Sequence, residues 1–221
     1  MPERSTTVTV DGSKLPVRVT APARGARATV VLAHGAGGDM RAVLLVALAR
    51  GLAERGLRVV RFDFAYRAAG RSIPDPMPKL VRAWEAVAAF ARDLGSGALV
   101  VGGKSMGGRA ASMAAAAGLR CDGLVFLGYP LHPAGKKDKL RDAHLPDIAP
   151  PMLFVQGTRD SLCDLDLLRP VLARVGRRAR LHVVEGGDHS LDVPKRSGRT
   201  RAEVQGEVAE AIARWVGDLA G

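Results

Sequence analysis

Gly103-Lys104-Ser105-Met106-Gly107 sets a serine between two glycines, and its surroundings decide what that serine can do. An apolar run, Ala98-Leu99-Val100-Val101-Gly102, leads into it, and an alanine-rich stretch from Met106 to Ala117 leads out. A strand that becomes a helix at this point must pass through one strained turn, where glycines avoid clashes and the serine hydroxyl is thrust clear of the sheet. Ser105 is therefore a candidate nucleophile. A serine hydroxyl attacks poorly near neutral pH unless an imidazole takes its proton, and the imidazole needs a carboxylate to fix its tautomer and stabilise its cation. The chemistry in view is acyl transfer, and it calls for one histidine and one acid.

In a parallel sheet all strand carboxyl ends share an edge, so both partners must lie on loops directly after strands. Of the five histidines, His182 lies inside the last strand and His144 in the middle of a loop. His189, in Gly186-Gly187-Asp188-His189-Ser190 just after Leu181 to Val184, is the candidate base. Asp160, in Gly157-Thr158-Arg159-Asp160 after the strand ending at Gln156, is the candidate orienting acid. Asp164 and Asp166 read instead as the N-cap and first-turn acids of a helix from Leu165 to Val175. Asp188 neighbours the base, but adjacent side chains in a tight loop point in different directions.

His34-Gly35-Ala36-Gly37-Gly38 follows the strand Ala28 to Ala33. Acyl transfer builds negative charge on a carbonyl oxygen, and small residues let bare backbone amides approach it. The amides of Ala36 and Met106 are the candidate oxyanion hole, with His34 bracing the loop. This loop carries neither GxGxxG nor the Lys-Ser/Thr ending of a phosphate-binding loop. Candidate substrate-binding residues are His34, Tyr66, Lys104 and His132. Lys104 either pairs with a carboxylate such as Asp63 or projects to solvent. Arg109, one helical turn beyond Ser105, reads as an ion-pair partner. No metal and no organic cofactor is implied.

The elements that must position these residues are legible in the apolar pattern. Thr6 to Val10 and Pro16 to Val19 alternate apolar and polar residues around Asp11-Gly12-Ser13-Lys14, as a β-hairpin does. Then apolar runs pair with helical patterns: Ala28 to Ala33 with Arg41 to Arg55, Leu57 to Phe62 with Lys79 to Leu94, Ala98 to Gly102 with Met106 to Ala117, Met152 to Gln156 with Leu165 to Val175. Gly123 to Gly128 and Arg180 to Val184 are further strands. Arg201 to Leu219 closes the chain as an amphipathic helix with Val204, Val208, Ile212 and Trp215 on one face. Such alternation predicts a mostly parallel eight-stranded sheet with an N-terminal antiparallel hairpin and helices on both faces. Tyr129 to Pro151 and Gly70 to Pro78 are loops, the first with room for one helical turn and too short for a cap domain.

At 221 residues, with 47% hydrophobic and 4% aromatic content, the chain is expected to form one domain with an Ala/Val/Leu-packed core. No apolar segment approaches the roughly 20 residues that span a bilayer, and the N-terminus lacks a long apolar signal core, so a cytoplasmic protein without membrane contact is expected. Cys121 precedes a strand and Cys163 follows one, which places them at opposite sheet edges and speaks against a disulfide. The net charge of +11 comes without a helix-turn-helix, finger or aromatic RNA platform, so no nucleic-acid partner is expected. An edge strand in the hairpin permits a monomer or a homodimer.

The order strand-HGxGG, strand-GxSxG-helix, strand-GxxD, strand-GGDH resembles the α/β-hydrolase superfamily over nearly the whole chain, with its chain order Ser, Asp, His. It is most similar to the small lidless hydrolases near dienelactone hydrolase, which carry a cysteine where this chain has Ser105. Three stretches, Arg61-Phe62-Asp63-Phe64-Ala65-Tyr66-Arg67, Gly103 to Arg109 and Gly128-Tyr129-Pro130-Leu131-His132-Pro133, resemble a group of predicted hydrolases. That group is related to the testis-expressed hydrolase-like protein and to a subunit of a nonspecific-lethal acetyltransferase complex. The resemblance implies a serine hydrolase, carboxylesterase-like, acting on a small acyl substrate; the other class of function is a non-catalytic hydrolase-like scaffold. Lys136, Lys137, Lys139, Lys195, Arg196, Arg199 and Arg201 fall on loops of the catalytic edge, where they would form a positive rim favouring anionic substrates. Arg174, Arg177, Arg178 and Arg180 fall at the opposite edge.

Overall fold

Apolar runs that continue without alternation bury both faces of a strand, and here they build the middle of one sheet. A computed structural model describes residues 2–95 and 97–219. The strands are β1 (Glu3–Val10), β2 (Ser13–Thr20), β3 (Ala28–Ala33), β4 (Leu57–Phe62), β5 (Ala98–Lys104), β6 (Gly123–Leu127), β7 (Met152–Gly157) and β8 (Ala179–Val184). The helices are α1 (Val43–Glu54), α2 (Ala65–Ala68), α3 (Met77–Asp93), α4 (Met106–Ala116), α5 (Leu165–Val175) and α6 (Arg201–Leu219). The sheet order is β1-β2-β4-β3-β5-β6-β7-β8. β1 and β2 are antiparallel, as are β2 and β4, and every other pair is parallel.

Strand side chains divide by parity between two cores. Val31, Val101, Phe126 and Phe154 pack with α3, α4 and α5 on one face, while Val30, Val100, Val125 and Val155 pack with α1 and α6 on the other. The expected face of α6, Val204, Val208, Ile212 and Trp215, is buried in the second core.

Several boundaries differ from the pattern reading. The hairpin turn is only Asp11-Gly12, both left-handed with φ of 49° and 72°, so Ser13 and Lys14 belong to β2. Between β4 and β5 lie two helices rather than one, because α2 forms a single turn directly after the strand. Pro78 lies in the first turn of α3, where a missing N–H has no helical acceptor to lose. The stretch from 128 to 151 holds one 3-10 turn, Leu145–Asp147, and among the described residues no segment forms a cap. Both cysteines are free, at opposite edges of the parallel strands. No helix of the described residues is long and apolar enough to cross a membrane.

The topology selects the place for a site. From β3 the chain moves to β4 on one side and then to β5 on the other, so the loops leaving β3 and β5 diverge. A crevice outside the carboxyl ends of strands opens at such a switch point. One side chain ties the helical layer to it: Trp84 of α3 is fully buried, stands edge-on to Phe62 and donates from Nε1 to the Gly107 carbonyl at 3.1 Å. Trp84→Phe should keep most of the packing yet remove that hydrogen bond, lowering unfolding stability by about 1 kcal/mol, while Trp84→Ala should cost about 3–5 kcal/mol. Chemical denaturation of the two variants measures both; a Trp84→Phe variant as stable as the wild type would show that the hydrogen bond contributes nothing.

Candidate active site

The turn after β5 is as tight as its glycines imply. Ser105 has φ 50° and ψ −117°, sparsely populated for any residue with a side chain. A Cβ on Gly103 would lie 2.2 Å from the Ala33 carbonyl oxygen, and one on Gly107 2.5 Å from that of His34, so larger residues would push β3 away. Ser105 N–H donates to the Leu127 carbonyl at 3.1 Å, and its own carbonyl accepts from Arg109 N–H at 3.0 Å. The serine is thus fixed between β6 and the first turn of α4.

The structure brings Ser105, His189 and Asp160 together from three separate loops. Ser105 Oγ is 2.8 Å from His189 Nε2, and His189 Nδ1 lies 2.9 and 2.8 Å from Asp160 Oδ1 and Oδ2. The Asp160 side chain is fully shielded, whereas that of His189 keeps 24% of its surface exposed. Its remaining lone pairs are used: Oδ1 accepts from Leu162 N–H at 2.8 Å and Oδ2 from Gln156 Nε2 at 2.5 Å. Gln156 also accepts from Tyr129 N–H at 2.9 Å. Sequence reading passed over Gln156 as a strand end; the signal was a lone amide closing an otherwise apolar strand.

The other histidines are engaged elsewhere, His144 with Ser112 Oγ at 2.7 Å and His182 with Glu207 at 2.8 Å. Asp164 caps α5 by accepting from Asp166 N–H at 3.0 Å, and Asp188 accepts from the amides of Ser190 and Asp192.

The loop after β3 lies against the turn, since a Cβ on Gly35 would stand 3.5 Å from Ser105 Cβ. Met106 N–H, at the first position of α4, has no acceptor within the helix, and Ala36 lines the same cavity as Ser105. The stretch from Arg61 to Arg67 holds this loop at several points. Arg61 Nη1 donates to the Met40 carbonyl at 2.6 Å, Asp63 accepts from Met40 N–H at 2.7 Å, and Tyr66 hydroxyl donates to the Ala36 carbonyl at 2.9 Å. His34 Nδ1 donates to the Gly35 carbonyl at 2.7 Å while Nε2 accepts from Phe64 N–H at 3.3 Å, an arrangement that fits the neutral ring. Burial holds the His34 imidazole below its ordinary pKa, and burial pushes the Tyr66 hydroxyl up to about 12.

Five expectations are corrected by position. The Tyr66 side chain is fully buried against Phe64 and His34 and braces Ala36 rather than lining the cavity. His34 borders the cavity but exposes no side-chain surface, so it acts through the loop. His132 is buried, accepts from Asp164 N–H at 3.2 Å and stands away from the Ser105 cavity. Lys104 neither reaches Asp63 nor extends into solvent: it lines the cavity, its stem against Gly35, with Asp160 and Asp188 the acids whose charge acts on it. Arg109 has no carboxylate within 4.0 Å among the described residues and lies near Tyr129, Arg141 and His144, because no acid of the neighbouring loop reaches it. The rim cations are partly neutralised as well: Lys137 pairs with Asp164, Arg199 with Glu207 and Arg201 with Asp192.

A cavity of about 570 Å³ opens over Ser105 and His189. Val43, Leu44, Leu45, Leu162 and Leu191 give it an apolar wall, so it suits a small, partly apolar molecule.

The family profile described as "Alpha/beta hydrolase domain" matches residues 26–217. The chain belongs to the alpha/beta hydrolase domain family. Among solved structures, this α/β-hydrolase is similar to an alpha-beta serine hydrolase homologue from Coxiella burnetii (21% identity, 96% of each chain covered, TM-score 0.75). It is similar also to an a/b serine hydrolase without lid from Xanthomonas campestris (24% identity, 96% of this chain and 94% of that one, TM-score 0.77). A dienelactone hydrolase from Anabaena variabilis matches at 19% identity over 97% and 96% of the two chains, with TM-score 0.73. These likenesses agree with the lidless α/β-hydrolase architecture.

Gln156 generates the sharpest test of the site's support. Gln156→Leu keeps the size and removes both hydrogen bonds, freeing Asp160 to shift, and should lower kcat for an ester by about ten- to a hundredfold with little change in KM. Steady-state kinetics with a p-nitrophenyl ester measures this; an unchanged kcat would show that Asp160 holds its place without Gln156.

Proposed function

We propose that this chain is a serine hydrolase that cleaves an ester, thioester or related acyl bond of a small substrate through an acyl-enzyme on Ser105. The observation that carries the reading is the unbroken chain of short hydrogen bonds Asp160–His189–Ser105, which ends at the floor of the cavity. The reading takes the chain as one domain, since both cores pack against one continuous sheet.

In this mechanism His189 Nε2 takes the Ser105 proton as Oγ bonds to the substrate carbonyl carbon, and the carbonyl π electrons pass to oxygen. Asp160 holds the imidazole with Nδ1–H toward itself and stabilises the imidazolium. The amides of Ala36 and Met106 stabilise the oxyanion, helped by the N-terminal end of α4. As the carbonyl reforms, the bond to the leaving group breaks, and the alcohol or thiol departs with the proton from His189 Nε2. A water molecule then gives a proton to the same nitrogen and attacks the acyl carbon. Collapse releases the carboxylic acid and returns the proton to Ser105 Oγ. Overall one acyl bond and one water become an acid and an alcohol or thiol. The bracing of Ala36 by Tyr66 and of Asp160 by Gln156 supports this reading, because pre-set dipoles cost no reorganisation during the reaction.

With p-nitrophenyl butyrate, the protein should release a burst of nitrophenol close to one equivalent of enzyme before steady turnover. Ser105→Ala should lose the burst and about 10⁴-fold or more of kcat. Equal turnover by the two proteins would remove Ser105 from the chemistry. Turnover absent from both would favour the hydrolase-like scaffold.

A further inference from the structure

Two cationic side chains other than histidine line the cavity, Lys104 and Arg201, and they differ in one respect. Arg201 is neutralised by Asp192, which accepts from its Nε at 2.7 Å and its Nη2 at 2.9 Å. Lys104 has no carboxylate within 4.0 Å among the described residues, although it directly precedes Ser105. A Cβ on Gly35 would stand 3.6 Å from Lys104 Cγ and 3.5 Å from Ser105 Cβ, so the lysine stem and the serine flank the same point of the cavity wall. The two acids whose charge acts on the ammonium, Asp160 and Asp188, both lie beyond ion-pair distance of it. Asp160 serves His189, Gln156 and Leu162 N–H, and Asp188 accepts from the amides of Ser190 and Asp192 through Oδ1.

An ammonium that lines a largely apolar cavity without an ion-pair partner is matched best by an anion that arrives with the ligand. Building on the hydrolase reading, we propose that Lys104 is the substrate-recognition residue of this site, pairing with a carboxylate carried by the ester or thioester close to its scissile bond. The substrate class is then an acyl compound with one free carboxylate and a short apolar body, which meets Leu162, Leu191 and the Val43 to Leu45 wall. Three of the seven rim cations are paired with acids, Arg201 among them, which leaves Lys104 as the cavity-lining cation without an ion-pair partner.

Burial pushes the Lys104 ammonium down to about 8, against the pull of Asp160 and Asp188. It is therefore charged below that pH and loses its charge above it. Other charged or titratable groups around the cavity are His34 after β3, Asp188, His189 and Asp192 after β8, and Arg201 at the start of α6. Neutral and anionic esters share Ser105 and His189 for the chemical step, so the ratio of the two, compared between wild type and Lys104 variants, reports on Lys104.

The test compares monoethyl succinate, glutarate and adipate with neutral ethyl esters of the same chain length, and butyryl glycolate with propyl butyrate, by alcohol release. The first series places the carboxylate on the acyl side, the second on the leaving group. In at least one series kcat/KM at pH 7 should favour the anion, and Lys104→Met should cut the anionic-to-neutral ratio by about ten- to a hundredfold. In the wild type this ratio should fall as pH rises through about 8. Lys104→Arg should hold it to higher pH, because a guanidinium stays charged. A ratio near one in the wild type, or one untouched by Lys104→Met, overturns the proposal. Binding of glutarate and glycolate to Ser105→Ala, measured by calorimetry, separates this outcome from failure of the hydrolase reading. Binding that weakens at least tenfold on adding Lys104→Met supports the anion site even without turnover, and no binding of either acid overturns it.

Discussion

Everything at this site depends on one backbone turn, the reversal from β5 into α4 at Ser105. The turn is unfavourable by itself: a non-glycine residue at φ 50° is held there only when its surroundings leave no alternative. Those surroundings are close-packed backbone. Gly103 and Gly107 let β3 approach within distances that a single methyl group would close, and Ser105 N–H is tied to β6. Trp84 locks the Gly107 carbonyl from the helical layer behind. From this one arrangement follow the position of the hydroxyl, the free Met106 amide and the direction of α4.

The rest of the sheet supplies partners to a hydroxyl whose place is already set. Parallel pairing brings the ends of β3, β5, β7 and β8 to one edge, so groups distant in sequence need only short loops to meet. Two braces keep them there. The stretch from Arg61 to Tyr66 grips the loop after β3 through Met40, His34 and Ala36, and Gln156 joins Asp160 to the Tyr129 amide. The motifs around Phe64 and Tyr129 therefore work through the residues they hold.

What was legible in the sequence was what local physics dictates. A glycine-flanked serine between an apolar run and an alanine-rich helix has few other foldings, and a parallel sheet sets aside His182 and His144, after which the chain order Ser, Asp, His of the resembled superfamily favours His189. Asp164 read as a helix cap for the same reason. Side-chain destinations that depend on distant elements were not legible. Tyr66 and His132 follow strands, but whether such a residue faces the cavity or the core depends on the turn of α2 and on the cap of α5. Lys104 could not be resolved between Asp63 and solvent, because Met40 from a third loop occupies Asp63. Arg109 lies beside Arg141 and His144 rather than an acid, a contact made by a loop without regular structure.

Charge and polarity divide in the same way. A net charge of +11 suggests a uniformly basic protein, yet near the site several cations are matched to acids and the cavity wall is largely apolar. The polar groups that remain are concentrated on the serine, and in the proposed mechanism they activate it. A fluorophosphonate probe reacts with such a serine and leaves ordinary hydroxyls alone. Treatment of the native protein, followed by peptide mass spectrometry, should place a single phosphonyl group on Ser105, with labelling lost on prior unfolding. A folded protein that takes up no label, or takes it up at another residue, would contradict the account.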